Sequence, residues 1–302
     1  MPLFIQLPYL NLDRVENGVK IAYFSGSLKV DCIMSVNHYE NFPVGSIAMP
    51  RRLRQATHAI YAFARTADDI ADEGDANPEQ RLHDLNVLKQ ELDRIAKNQI
   101  PETPLMQRLL NEAITPHQLP LQPFYDLLDA FSQDVVKTRY ANFGELVDYA
   151  RRSANPVGRL MLHLYGVTDE RSFAQSDGIC TALQLINFWQ DVAIDWQKNR
   201  VYIPQDDLQK FGVTEQQIAD GKVDFAFQRL MAYECERAFK MLYAGSPLGR
   251  TLKGRLGLEL RMIVLGGQSI LQKLDGCQYD VFNQRPKLGW KDWLRIVKKA
   301  VF

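Results

Sequence analysis

The chain has 302 residues, 46% of them hydrophobic and 24% charged, which is ordinary globular composition with ample length for a large core. Lys plus Arg and Asp plus Glu each total 36, so the formal charge is zero and the basic footprint of a nucleic-acid binder is missing. Cys32, Cys180, Cys235 and Cys277 form no CxxC pair and the histidines no HExxH spacing, which argues against a zinc knuckle or a disulfide framework and for a reducing cytoplasm.

The N-terminus shows no basic region followed by an apolar run and a cleavage site, so no signal peptide is expected. From Ala56 to Ala71 the residues Ala59, Ile60, Phe63, Ala67 and Ile70 recur at three- and four-residue steps, which predicts a helix. Pro78 suits the first turn of the next run, Gln80 to Ile95. Pro101, Pro104, Pro116, Pro120 and Pro123 punctuate shorter helices up to residue 134. Further helices are predicted over 144–154, 157–166, 170–194, 223–243 and 248–275, with a connector from Asn199 to Gln205. The apolar stretch Leu256 to Leu271 is interrupted by Glu259 and Arg261, against a membrane span. Hardly any segment alternates as strands do. The expected fold is all-α, a single domain over residues 1–302 made of roughly a dozen helices.

Two of these helices carry acids at helical spacing. Asp68 and Asp72 stand one turn apart on one face, and Arg65 and Tyr61 extend that stripe upstream. Like charges one turn apart repel, and a hard cation that takes oxygen ligands, such as Mg²⁺, removes the conflict. The plainer alternative is a solvated acidic face. Gln184, Asn187, Asp191 and Asp195 fall at steps of three, four and four on a second helix, among Leu185, Ile186, Phe188, Trp189 and Val192. Polar groups on so apolar a helix need partners if they are buried. Two such faces together can hold Mg²⁺ ions whose shells a diphosphate completes. Arg65 and Arg200 lie close by in sequence and can bind phosphate in two-point fashion. The cluster Arg51, Arg52 and Arg54 reads as a solvated helix start, with phosphate contact as the alternative.

The run Ala59 to Asp72 (AIYAFARTADDIAD) resembles the first aspartate motif of the squalene/phytoene synthases, and Gln184 to Asp195 (QLINFWQDVAID) their second. Asn199 to Pro204 (NRVYIP) is similar to the block that follows it, Tyr149 to Gly158 to the family's Tyr…Val-Gly segment, and Tyr279 to Phe282 to its C-terminal block. The likeness spans about residues 35–290. Asn37 to Ser46 (NHYENFPVGS), Met49 to Arg54 (MPRRLR) and Ser153 to Gly158 (SANPVG) look most like the hydroxysqualene synthase branch of hopanoid biosynthesis. Gln190 departs from the family, which commonly has an arginine there.

This resemblance implies an all-α isoprenoid synthase fold with a central cavity. It implies that presqualene diphosphate and water become hydroxysqualene and diphosphate, with several Mg²⁺ ions and without NADPH. Asp68, Asp72, Asn187, Asp191 and Asp195 would then be the metal-binding residues. Tyr61, Arg65, Asn41, Phe42, Gln184, Asn187, Arg200 and Tyr202 would contact substrate, and Tyr149 would join the four aspartates in the chemistry. Phe42, Tyr149, Phe188 and Trp189 are candidates to line an apolar cavity that shields a carbocation, although each aromatic is as readily a core residue. Asn41, Asn155, Gln184 and Tyr149 are the polar candidates to hold the capturing water. Rival readings are a presqualene diphosphate, squalene or phytoene synthase, and a non-catalytic family member serving as an assembly factor. The amphipathic tail Trp290 to Phe302 suits either interfacial contact at the inner membrane or docking on the core. Hand-over from and to neighbouring pathway enzymes is the other partnership expected.

Overall fold

The computed structural model describes residues 49–302. No strand occurs among them, only an isolated bridge between Arg139 and Val201. The helices are α1 (Arg51–Asp72), α2 (Pro78–Ala96), α3 (Pro104–Leu109), α4 (Thr115–His117), α5 (Gln122–Val136), α6 (Phe143–Ser153), α7 (Asn155–Leu164), α8 (Glu170–Gln197), α9 (Gln205–Phe211), α10 (Glu215–Ala219), α11 (Phe225–Gly245), α12 (Leu248–Thr251), α13 (Gly254–Gly276) and α14 (Trp290–Val301). A π-turn, Leu110–Ile114, joins α3 to α4. The expected all-α bundle is what forms.

Local signals place the helix starts. Asn77 accepts from the Gln80 amide (2.8 Å) and is followed by Pro78, so α2 begins with a side-chain cap and a residue that lacks a donor. Asn142, Asp169 and Asp224 cap α6, α8 and α11 in the same way. One predicted helix is corrected: 248–275 is two helices, because Leu252 is extended and Gly254 takes a positive φ (+70°).

The core has two parts. One gathers Leu53, Phe63, Leu92, Phe124 and Phe131 from α1, α2 and α5, with Leu160 of α7. The other gathers Tyr149, Ile186, Trp189, Phe227, Leu242 and Ile270 from α6, α8, α11 and α13. Helix α8 is covered on most sides by α7, α11 and α13, so polar residues such as Ser176, Thr181, Gln184 and Gln190 are buried along with its apolar ones. Its approach to α11 at Gly245 leaves no room for a side chain, since a Cβ there would lie 2.4 Å from the Gln175 carbonyl oxygen. No helix among the described residues is long and apolar enough to cross a membrane.

Candidate active site

The first acid motif lies at the C-terminal end of α1 and the second in the last turns of α8. What brings them together is the chain that leaves α8. Asn199 adopts the left-handed conformation (φ +56°), with its amide on the Trp196 carbonyl and the Arg200 amide on the Asp195 carbonyl. That is a Schellman turn, and asparagine tolerates its backbone better than other residues bearing a Cβ. The connector is then sewn to the strand-like segment after α5: Val201 N donates to Thr138 O (3.0 Å), Gln205 N to Tyr140 O (2.9 Å), and the Arg139 guanidinium to Asn199 O (2.6 Å). Lys198 and Arg200 are thereby presented to α1.

Both cations grip Asp72, Lys198 Nζ at 2.6 Å and Arg200 Nη2 at 2.8 Å. Burial alone would raise the Asp72 carboxyl, but the charges of Arg200 and Lys198 hold it well below the usual carboxylate range. Arg65 reaches down the same face to Asp68 (3.2 Å) and Asp69 (2.6 Å). Burial nevertheless pushes the Asp68 carboxyl up, and its neighbour Asp72 adds to the push.

The second motif is balanced differently. Arg285, from the segment between α13 and α14, makes a two-point contact with Asp191, its Nη2 3.1 Å from Oδ2. Asp195 is pushed up to about 8, by burial first and by the charge of Asp191 second, against the pull of Arg200 and Lys198. Asp195 and Arg200 line one cleft with Phe188, Val192, Tyr202, Ile203 and Ile218. The two cations that grip Asp72 thus also act on Asp195 through their charge, across the seam between α1 and the end of α8. Among the described residues no three Asp, Glu, His or Cys side chains converge as a ready-made metal site.

Beneath the seam lies an aromatic stack. Phe188 and Tyr202 are face to face with centroids 3.8 Å apart, and Tyr140 and Tyr149 pack against Tyr202 at 5.7 and 6.3 Å. The Tyr149 hydroxyl donates to Asp134 Oδ2 (2.6 Å), and Arg200 donates to the Asp134 carbonyl (3.3 Å). Burial pushes Asp134 up to about 6, opposed by the Tyr149 hydrogen bond and by Arg200. Burial also raises the phenols of Tyr149 and Tyr202, so both stay protonated. The Tyr202 hydroxyl, Gln184 Nε2 and Asp134 Oδ1 are buried with no hydrogen-bond partner.

The structure thus groups Asp68, Asp72, Arg65, Tyr149, Asp191, Asp195, Arg200 and Tyr202 around one seam. Gln184 accepts from Ser153 (2.9 Å), and Asn155 accepts from Thr181 (2.9 Å). Asn187 is half-buried on α8, and half-buried Tyr61 packs on the first core. Trp189 is wholly core, whereas Phe188 reaches the cleft. Gln190 donates to the Pro286 carbonyl (2.7 Å) and so ties down the segment before α14. Asn41 and Phe42 lie outside the described residues. Sequence reasoning missed Asp134, Lys198 and Arg285. Asp134 could have been found, since it follows Phe131 by three residues on the buried stripe of α5. Arg285 stands 94 residues from Asp191 and has no local signal.

Comparison with known proteins bears on the family and the fold. The squalene/phytoene synthase family model matches residues 36–292. The hydroxysqualene synthase of Rhodopseudomonas palustris is 37% identical over 237 residues, covering 78% of this chain and 79% of that protein. The phytoene synthase of Arthrospira platensis is 28% identical, covering 85% and 87% respectively. The crystal structure of squalene synthase HpnC from Alicyclobacillus acidocaldarius superposes with a TM-score of 0.74 at 36% identity, covering 80% of this chain and 90% of that one.

Proposed function

The chain belongs to the squalene/phytoene synthase family, and we propose that within it the reaction is that of a hydroxysqualene synthase: presqualene diphosphate and water give hydroxysqualene and diphosphate. The observation that carries this reading is the seam itself. Acids from two distant helices, Asp72 and Asp195, face the same two cations beside an aromatic cleft. A diphosphate head calls for such cations and hard oxygens, and a hydrocarbon body for such an apolar wall.

The donor set suits Mg²⁺. Asp68, Asp72, Asp191 and Asp195 offer hard carboxylate oxygens and Asn187 an amide, and the Asp191–Asp195 repulsion is the kind of imbalance a divalent cation relieves. When bound there, Mg²⁺ supplies Lewis acidity that draws charge from the leaving diphosphate. Arg200, Lys198 and Arg65 supply the fixed positive charge that orients its oxygens. Release of diphosphate leaves a cyclopropylcarbinyl cation in the cleft. Phe188 and Tyr202 offer it aromatic faces worth about 0.5–2 kcal/mol each. Val192, Ile203 and Ile218 exclude bulk water, so capture falls to one positioned molecule. Gln184, its Nε2 buried and unpartnered, and the Tyr202 hydroxyl are the groups able to hold it.

A second reading is squalene formation, favoured by the description of the Alicyclobacillus protein as a squalene synthase. Incubation with presqualene diphosphate and Mg²⁺, with and without NADPH, followed by mass analysis of the extract, separates the two. Hydroxysqualene formed without NADPH supports the proposal. Squalene formed only with NADPH, or unchanged substrate, overturns it.

A further inference from the structure

Helix α14 presents three different faces. Ile296 and Ala300 are buried and half-buried Trp293 lies beside them, against α13. Its only acid, Asp292, is turned inward, paired with Lys273 (2.9 Å) and accepting from the Gly289 amide (2.8 Å). The Arg261 guanidinium takes the Ala300 carbonyl near the other end (2.8 Å). The helix is therefore fixed to the core by one side and both ends.

The outward side is not what a helix facing water needs. Trp290 (69% exposed), Leu294 (63%), Val297 and Val301 (56%) recur at steps of four, three and four, a single apolar stripe along the whole helix, and Phe302 ends it fully exposed. Beside this stripe Lys291, Arg295, Lys298 and Lys299 form a second one, all four exposed. At about 100° per residue the apolar stripe is bounded on one flank by the docked face and on the other by the cations. With Asp292 turned away, the exposed side of α14 carries four positive charges and no negative one.

We propose that α14 lies in the surface of a bilayer rich in anionic phospholipid, its Trp290–Leu294–Val297–Val301 stripe among the acyl chains and its Lys/Arg stripe on the headgroups. Charge decides the occupant. An apolar stripe alone would fit a second copy of the chain, but two copies of this face would set four cations against four. An anionic headgroup layer complements them. The segment that leads into α14 carries Arg285, on Asp191, and Pro286, whose carbonyl accepts from Gln190, so the membrane-facing helix is joined directly to the second acid motif.

The test needs no substrate and is independent of the reaction proposed above. The full chain is floated with vesicles of phosphatidylcholine alone and with vesicles that also contain phosphatidylglycerol. The expected result is flotation with the anionic vesicles, at least about ten-fold stronger than with the neutral ones and weakened by added salt. Two variants, Leu294→Glu with Val301→Glu and Lys298→Glu with Lys299→Glu, should each lose at least about ten-fold in partition. Their melting temperatures should stay at the wild-type value, since all four side chains are exposed. Wild-type protein that ignores anionic vesicles overturns the proposal, and so do variants that float as well as wild type. Light scattering that shows a wild-type dimer, broken by Leu294→Glu with Val301→Glu while vesicle binding is unaffected, overturns it in favour of a second copy. Should either variant unfold, the salt and lipid dependence of the wild type decides alone.

Discussion

The two acid motifs have the same spacing and opposite electrostatics. On α1 the carboxylate nearer the helix end, Asp72, is clamped by Lys198 and Arg200 and held far below its usual range. On α8 the corresponding residue, Asp195, is pushed up to about 8 because burial and Asp191 outweigh the same two cations. A spacing of four residues fixes which face a side chain takes but not how its charge is balanced. That is settled by the segment that arrives from elsewhere, here the connector after α8 for one motif and Arg285 for the other. The first motif is a formed salt-bridge cluster, and the second keeps a buried carboxyl, Asp195, that burial and Asp191 push up.

The largest effect should come from removing an acid from either side. Asp68→Ala and Asp191→Ala should each slow diphosphate release by about a thousand-fold or more, with the helical circular dichroism spectrum retained. Full activity in one of them at saturating Mg²⁺ would show that a single motif suffices. Next in size is the clamp. Arg200 is buried between Asp72 and the Asp134 carbonyl, so Arg200→Met takes the buried one of the two cations from Asp72 and should cost about 3 kcal/mol in urea denaturation. Arg285 is partly exposed, and Arg285→Met should cost under about 1 kcal/mol. Equal losses would erase the contrast between the motifs.

A smaller effect is read through pH. Between the motifs Asp134 sits at about 6 in the folded chain, against an unfolded value near 3.8, so the native state holds the extra proton over that window. The part of the stability that Asp134 controls should therefore fall as pH rises from about 4 to 6, by at most about 1.4 kcal/mol per pH unit. Asp134→Asn keeps an acceptor for the Tyr149 hydroxyl and should make that slope shallower in denaturation curves taken across the window, leaving the part that Asp195, pushed up to about 8, adds in the same direction. A slope unchanged in the variant assigns it to other groups. Smallest of all is Lys198→Met. The lysine is about half exposed, so solvent screens it and the loss should be a few tenths of a kcal/mol.

Much of this was legible before any coordinates. Helical period exposed both acid stripes, and Pro78 and Asn199–Pro204 marked where helices start and stop, since those signals act within a few residues. The break at Leu252 was missed because a positive φ at Gly254 leaves the apolar pattern of 248–275 undisturbed. The partners of the acids were beyond reach for a physical reason: Lys198 lies 126 residues from Asp72 and Arg285 lies 94 from Asp191, and no periodicity links such distances. Gln190 shows the same limit. Its departure from the family pattern was visible, but its hold on Pro286, which anchors the approach to α14, was not.

Binding of inorganic diphosphate, followed by calorimetry with and without Mg²⁺ in the wild type, Asp68→Ala and Asp191→Ala, tests the joint grip most directly. The account predicts tight, Mg²⁺-dependent binding in the wild type and its loss in both variants. Binding that persists without the metal, or that survives in either variant, would contradict it.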